Sequence, residues 1–359
     1  MLFHAIERGA LAVCPEAKRK ELTMKRLLFG KTCYLRRIRY LPEIAMEFRD
    51  VPKEEIDAAL EGLDEVSQRA FWTFLSRTFF PTMKNTPGVF DRTPRHFFIS
   101  SGLASEAECR KWNELLGKEA TLKEKYLPHP APSDFTFTLQ HGLPLLPDGV
   151  LSYMRGKVFV DGGAFVGDSS LVFLQYAPGE IWAFEPSPNN RRLFMDTMQC
   201  NHVPMEHLKL IPKGLSDKIG EICFRDTADS GCTLAEKGTA IAELTPLDAL
   251  TAGVSVGFIK TDLEGMGLVM LHGAAETIRR DRPILSLAIY HNREEMLGTY
   301  AFLKSLRLNY RYRIVQLAPP WEWHELCLLA WPEEFGEMQS GGTADTWTAL
   351  PSFEGTQEL

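Results

Sequence analysis

The sequence predicts an α/β protein built on a mostly parallel sheet, and three observations carry that expectation. Residues 157–186 read as strand, glycine loop, helix and second strand, a complete βαβ unit. Residues 256–265 again form an apolar strand that ends on acids and a glycine turn. Between and after them, short apolar strands alternate with helical stretches up to a closing pair of strands.

In the first unit, Lys157–Asp161 is a strand carrying Val158, Phe159 and Val160. Gly162, Gly163 and Gly167 turn the chain into a helix from Asp168 to Tyr176. The strand Ile181–Phe184 follows and ends on Glu185. Ligands of such units bind beyond the carboxyl ends of the strands, where glycine lets the backbone turn and a ligand approach it. The loop Asp161–Gly167 has neither GxGxxG spacing nor the Lys-Ser/Thr ending of a phosphate loop. An acid before the glycines repels phosphate and attracts an amino group or a sulfonium, and Glu185 suits a ribose diol. That combination points to S-adenosylmethionine (SAM), with an ordinary nucleotide-binding unit as the plainer alternative.

The 359 residues are 45% hydrophobic, enough for a full core and for two or three domains. A net charge of −7 argues against nucleic acid as the partner. The seven cysteines are odd in number and lack a CxxC pair, which favours reduced thiols and a cytoplasmic location. No apolar run is long enough for a transmembrane segment. Nor does any Cys/His cluster have metal-ligand spacing, so no metal is expected.

Residues 1–49 carry eleven Lys/Arg against five Asp/Glu. That excess permits peripheral contact with anionic lipid or a protein, although a solvated basic face is the plainer reading. Asp50–Phe80 reads as helical, and Ser105–Glu108 is a capping box that should start a helix running to about Tyr126. This first third holds no chemical constellation and reads as an accessory region. His141, in the segment leading into the core, reads as a structural hydrogen-bonding residue.

After Glu185, a helix over Ser187–Asn201 with Asn189, Asn190, Arg191 and Arg192 exposed precedes a strand at Leu208–Ile211. A turn at Gly214–Asp217, a strand at Ile222–Arg225 and a polar loop at Asp226–Gly238, expected to close over bound ligand, come next. A short helix at Leu247–Leu250 leads into the strand with Phe258, Ile259 and Lys260, which ends in Asp262 and Glu264. Gly265 opens a helix over 266–279, and the apolar strand Ile284–Tyr290 ends on His291. A helix from about Glu294 to Leu306 precedes strands at Tyr312–Leu317 and Glu325–Trp331, whose short connection requires antiparallel pairing. Residues 333–359 hold six acids and no Lys or Arg, and read as a poorly ordered tail.

The series VDGGAFVGD, AFEPSPNN, GLSDKIG, TPLDAL, FIKTDLEGMG, HGA and RP, in this order with the closing strand pair, resembles the FkbM family of SAM-dependent methyltransferases. The resemblance spans residues 141–332. It implies a class I methyltransferase fold, Rossmann-like, with helices on both faces of the sheet and an antiparallel final strand. Residues 1–140 then form a mainly helical accessory region. The implied activity is methyl transfer to oxygen on a sugar or other small-molecule or glycan acceptor.

Carried over, Asp161, Gly162, Gly163, Ala164, Gly167 and Asp168 match the SAM loop, with Glu185 and Pro186 on the ribose side. Ser216 and Asp217 match the adenine side. Lys260, Asp262 and Glu264 match the motif that faces the transferred methyl, and Asp262 is counted with the cofactor residues as well. The chain departs from the pattern at Phe165, where Asn is usual, and at Gly267, where an acid often stands.

Asp262 and His291 end strands that should be neighbours, so either is placed to take the acceptor proton, His291 being the favoured base. Lys260 and Glu264 would hold the site in shape. A non-catalytic SAM-binding scaffold and an NAD-linked oxidoreductase remain as other readings.

Overall fold

The structure is a computed structural model that describes residues 43–78, 99, 103–129, 135–224, 240–322 and 324–336. The basic residues 1–42, the expected loop Asp226–Gly238 and residues 337–359 of the acidic tail lie outside the described residues.

Helices α1 (Glu43–Glu47), α2 (Lys53–Ala59), α3 (Glu65–Thr78), α4 (Glu106–Tyr126), α5 (Thr136–Leu139) and α6 (Asp148–Met154) precede strand β1 (Val158–Gly162). Then come α7 (Asp168–Phe173), β2 (Glu180–Phe184), α8 (Pro188–Cys200) and β3 (Leu208–Ile211). Three short strands follow: β4 (Lys213–Leu215), β5 (Gly220–Phe224) and β6 (Ala240–Thr245). The chain continues through β7 (Val256–Thr261), α9 (Gly267–His272), α10 (Ala275–Asp281), β8 (Ile284–Ala288) and α11 (Arg293–Ser305). It closes with β9 (Tyr310–Gln316) and β10 (Leu326–Pro332).

Among the described residues the strands form a seven-stranded sheet in the order β3-β2-β1-β7-β8-β10-β9 and a three-stranded sheet in the order β4-β6-β5. Strands β1, β2, β3, β7 and β8 pair in parallel. Strand β10 runs antiparallel to both β8 and β9. This is the mostly parallel, Rossmann-like sheet with an antiparallel final strand that the sequence predicts.

The central strands are apolar on both faces because both are covered. Val160, Trp182, Phe184, Ile259, Leu285 and Leu328 belong to one buried layer. Their neighbours Phe159, Ile181, Ala183, Phe258, Ile284 and Leu329 belong to the other, as the alternation of side chains along a strand requires. Helices α1–α3 and α9–α11 fill the first layer, whereas α4–α8 fill the second. The helices before residue 141 therefore divide between the two faces instead of covering one side.

Helix α3 also shields the edge strand β9, whose open backbone groups would otherwise invite pairing with another chain. Ser67 Oγ accepts the Ile314 amide at 3.1 Å, Arg313 pairs with Asp64 at 3.0 Å, and Arg77 donates to Gln316 Oε1 at 2.7 Å.

Four local expectations need correction. The single helix over Asp50–Phe80 is broken: Gly62 sits at φ 94°, and Asp64 Oδ1 caps a fresh helix at the Ser67 amide (2.8 Å). The helix over 266–279 is likewise two, because the Asp248 carboxylate accepts the amides of Glu276 (3.1 Å) and Thr277 (2.7 Å) and so starts α10. Gly214–Asp217 is only partly a turn, since residues 213–215 form β4 beside β6. That last strand, AIAELT, offers too weak an apolar alternation to be read in advance. Asn190 is buried at 2% exposure, because the first turn of α8 faces the sheet's carboxyl edge. By contrast, α4 begins as its capping box requires, with Ser105 accepting the Glu108 amide at 3.0 Å.

Glu119, fully buried on α4, accepts the amides of Phe137 (3.3 Å) and Thr138 (2.8 Å) and so caps the short helix α5. Glu119→Ala strands both donors and should lower unfolding stability by about 2–4 kcal/mol. Glu119→Gln keeps one acceptor and should lose less; denaturant midpoints at constant m-value give the comparison.

Candidate active site

Sheet order reverses at β1, which is flanked by β2 on one side and β7 on the other. In open α/β sheets the ligand crevice lies at that point, beyond the strand carboxyl ends. A cleft of about 1130 Å³, counted out to its open mouth, lies there. Phe165, Glu185 and Pro186 line one part of it, and Leu215, Ile222, Phe224, Ala242 and Leu244 of the small sheet form an apolar wall. His141, Asp168, Ser169, Lys260, Asp262, Glu264 and Glu325 line the polar end.

The loop after β1 is held by backbone bonds, with the amides of Gly163 and Ala164 donating to Phe184 O at 3.2 and 3.0 Å. Gly163 lies at φ 79°, and a Cβ there would stand 2.0 Å from Asp262 O. No side chain fits between the loops after β1 and β7. Phe165 has φ 44°, a left-handed conformation that Asn adopts far more readily than Phe. The first departure from the family pattern thus falls at a position with a backbone requirement. Phe165 meets it while donating its amide to Glu185 Oε2 at 3.0 Å.

Glu185 is 5% exposed and also accepts the Ser187 amide on Oε1 at 2.8 Å. Burial outweighs these bonds and pushes its carboxyl up to about 7. Two backbone amides and the Asn190 side chain therefore fix a carboxylate that lines the cleft.

Asp161 differs from the expectation that it offers charge to a ligand. It is fully buried, accepts from Ser170 Oγ at 2.7 Å and pairs with Lys260 Nζ at 3.2 Å. Lys260 Nζ also donates to Gly163 O at 2.8 Å. Asp161, with Gly162, Ala164 and Gly167, lies behind the cleft surface, whereas Gly163 and Asp168 line it. Ser216 and Asp217 are not brought to the cleft either; Ser216 Oγ donates to Asp217 Oδ1 at 3.2 Å, and Asp217 is exposed.

At the other end, Asp262 and His291 meet as their neighbouring strands suggest. His291 Nε2 stands 3.0 Å from Asp262 Oδ1, and Nδ1 stands 3.0 Å from Glu295 Oε2. The Tyr290 ring stacks on His291 with centroids 4.1 Å apart, and its hydroxyl reaches Asp262 Oδ1 at 3.3 Å and Glu325 Oε1 at 3.4 Å. Burial by itself would lower the His291 imidazole, but the two flanking carboxylates overcome it and push it up to about 10. At neutral pH His291 is a held cation, so it has no lone pair with which to accept a proton. Asp262 loses by burial but gains more from His291, Lys260 and His141, which hold it well below the usual carboxylate range. Its side chain keeps 32% exposure, and Glu264, exposed at φ 49°, lines the cleft beside it.

His141, expected as a structural residue, lines the cleft and contacts Ser169 Oγ at 2.8 Å through Nε2. Glu295, Tyr290 and Glu325 escaped notice in the sequence. Only Glu295 left a local signal, four residues beyond His291. Among the described residues no group of three or more His, Cys, Asp or Glu side chains is arranged to hold a metal ion, and no helix is long and apolar enough to cross a membrane.

Residues 161–314 match the family model described as the methyltransferase FkbM domain. No curated protein matches the chain significantly. Among solved structures, methyltransferase FkbM from Methylobacillus flagellatus KT superposes with a TM-score of 0.52 at 16% identity. The match covers 80% of this chain and 60% of that one, so this chain spans less than two thirds of its relative's length. An rRNA methylase from Streptococcus thermophilus aligns over 54% of this chain and 94% of its own, with 12% identity and a TM-score of 0.36.

Gly163→Ala forces a Cβ into the Asp262 carbonyl and should cost at least about 3 kcal/mol of unfolding stability. Denaturant unfolding measures it. The His291 cation has its own pH signature: its stabilisation is complete below the ordinary value of 6.5 and is lost as pH rises through about 10. Thermal unfolding temperatures of the wild type should therefore fall across that alkaline window by more than those of His291→Gln.

Proposed function

We propose, from the premise that residues 161–314 belong to the FkbM methyltransferase domain family, that this protein transfers a methyl group from SAM to a hydroxyl oxygen of a small-molecule or glycan acceptor. The observation that carries this reading is one cleft lined by a backbone-aimed carboxylate, Glu185, in one part and by Asp262 in another, with His291 and Glu295 buried behind Asp262. The residues present fit the donor. Glu185 is suited to a ribose diol, and the wall of Ile222, Phe224 and Leu244 to a flat apolar-faced ring. We assign the catalytic unit to residues 141–332, residues 1–140 to an accessory role and residues 333–359 to a tail, in a cytoplasmic protein that does not act on nucleic acid.

Bound SAM supplies a methyl carbon already activated by a sulfonium. The protein's task is to align the acceptor, exclude water and receive one proton. His291 and Tyr290 both engage Asp262 Oδ1, which leaves Oδ2 to take the hydrogen bond of the acceptor hydroxyl. A weakly basic carboxylate suffices there, because an oxygen gaining a methyl group becomes far more acidic than any carboxylic acid as the bond forms. Asp262 is thus the better base, and His291 its positioning cation. Lys260 acts from below by fixing Asp161 and the Gly163 carbonyl, and Glu264 borders the acceptor space.

The first test is incubation with labelled SAM and fractionated small-molecule and glycan acceptors, with label expected in a hydroxyl-bearing fraction. Asp262→Asn should then lower turnover by roughly 10²–10⁴-fold at saturating SAM, with SAM affinity changed far less. Turnover near wild type would remove Asp262 as the base.

Calorimetry tests the donor site independently. Glu185→Ala should weaken SAM binding by about 1.5–3 kcal/mol, roughly tenfold to over a hundredfold. Only the ionised carboxylate accepts both ribose hydroxyls, and in the free protein that form is lost as pH falls through about 7. Wild-type affinity should therefore drop below that pH, with proton release on binding, and Glu185→Gln should abolish this dependence.

A further inference from the structure

We propose that Glu295 is a positioning residue of the site: reaching in from α11, its carboxylate ties the first turn of α9 to His291 and makes that imidazole a fixed cation partner for Asp262. The proposal deepens the methyl-transfer reading, on which the role given to Asp262 rests. Glu295 is 1% exposed, and both its oxygens are engaged. Oε1 accepts the Gly267 amide at 2.6 Å, while Oε2 faces His291 Nδ1 at 3.0 Å. Its own backbone is fixed too, because Asn292 Oδ1 caps α11 at the Glu295 amide (2.8 Å) and Asn292 Nδ2 donates to Gly265 O at 3.1 Å. One carboxylate thus joins the loop that carries Asp262 to the strand end that carries His291.

Gly267 makes this possible. A Cβ there would meet Glu295 Oε1 at 2.9 Å, so the carboxylate occupies the space that a side chain at 267 would take. An acid on residue 267 and an acid on residue 295 are therefore alternative ways to fill one position. The chain departs from the family pattern at residue 267 while supplying the charge from another helix.

The charged and titratable groups around His291 are few. Asp262 comes from the loop after β7, Glu295 from α11, and Tyr290 stacks on the ring. Lys260 and His141 act on it through Asp262, and Glu325 through the Tyr290 hydroxyl. Two carboxylates against one imidazole keep it charged at neutral pH. Removing one should bring its titration down by about 1–3 units.

The test is NMR of the full-length protein labelled with 15N-histidine, with His291→Gln identifying the ring signals. In the wild type the His291 nitrogens should keep imidazolium shifts from pH 6 to 9. In Glu295→Gln, which retains an acceptor for the Gly267 amide and so keeps the local fold, they should titrate within that range. The double variant Glu295→Ala/Gly267→Glu should restore the imidazolium that Glu295→Ala loses. Persistence of the imidazolium to pH 9 in Glu295→Gln, or failure of the double variant to restore it, would overturn the proposal. With an acceptor in hand, kcat of Glu295→Gln should gain a descending limb above the new midpoint, and a profile parallel to wild type would count equally against it. The NMR readout needs neither SAM nor acceptor, so it stands or falls apart from the methyl-transfer reading.

Discussion

A buried ion pair between Asp161 and Lys260 underlies the arrangement of the site. The two residues face each other as register partners on β1 and β7, the strands at which sheet order reverses, and their side chains are 0% and 4% exposed. Taking two charges out of water is costly unless further polar groups satisfy them. Here Ser170 bonds Asp161, and the Gly163 carbonyl together with nearby Asp168 adds to the hold on Lys260. The same ammonium thus secures the loop after β1 and the strand from which Asp262 emerges two residues later. The loops that follow β1 and β7 share one anchor.

Much of this was legible in the sequence, for definite reasons. Strands β1, β2 and β7 are short, apolar and punctuated by glycine or acid, and β8 runs between Pro283 and His291, so both their identity and their carboxyl ends are legible. Asp262 and His291 could be paired in advance because consecutive parallel strands usually lie side by side. Whether a charge is offered to a ligand or consumed inside the protein could not be read. Asp161 stands before the glycines as if to face a ligand, but its partners are nine and 99 residues away in the chain. The ordinary value of a histidine, near neutrality, points to His291 as a base. The carboxylates that make it a cation come from two other elements, and their combined effect exists only after folding. Strand β5 is legible at Ile222–Arg225, but β4 and β6 are obscure for another reason: short strands that turn only Leu215, or Ala242 and Leu244, toward the cleft carry little apolar signal.

The two departures from the family pattern have different physical standing. Phe165 keeps a left-handed backbone that Asn would hold more easily, so the chain carries local strain beside the cleft in return for an apolar surface. Gly267 is not a loss of charge, because the Glu295 carboxylate lies in the vacated space. Comparing residues position by position registers both as substitutions. Only the folded geometry separates a changed surface from a relocated carboxylate.

The shielding of β9 by α3 has a consequence for biosynthesis. Ser67 meets the Ile314 amide across 247 residues of chain, and Phe71 and Phe74 of the same helix lie in the layer completed by Ile314 and Leu328. Helix α3 therefore leaves the ribosome long before the strand that covers it. Until β9 and β10 emerge, its apolar face meets only neighbours such as Phe48 and lacks the sheet edge that covers it, and such waiting faces are where nascent chains aggregate or recruit chaperones. The sheet closes last at the edge that the earliest described helices guard. Loss of the final strands would thus uncover α3, far earlier in the chain, along with the sheet edge.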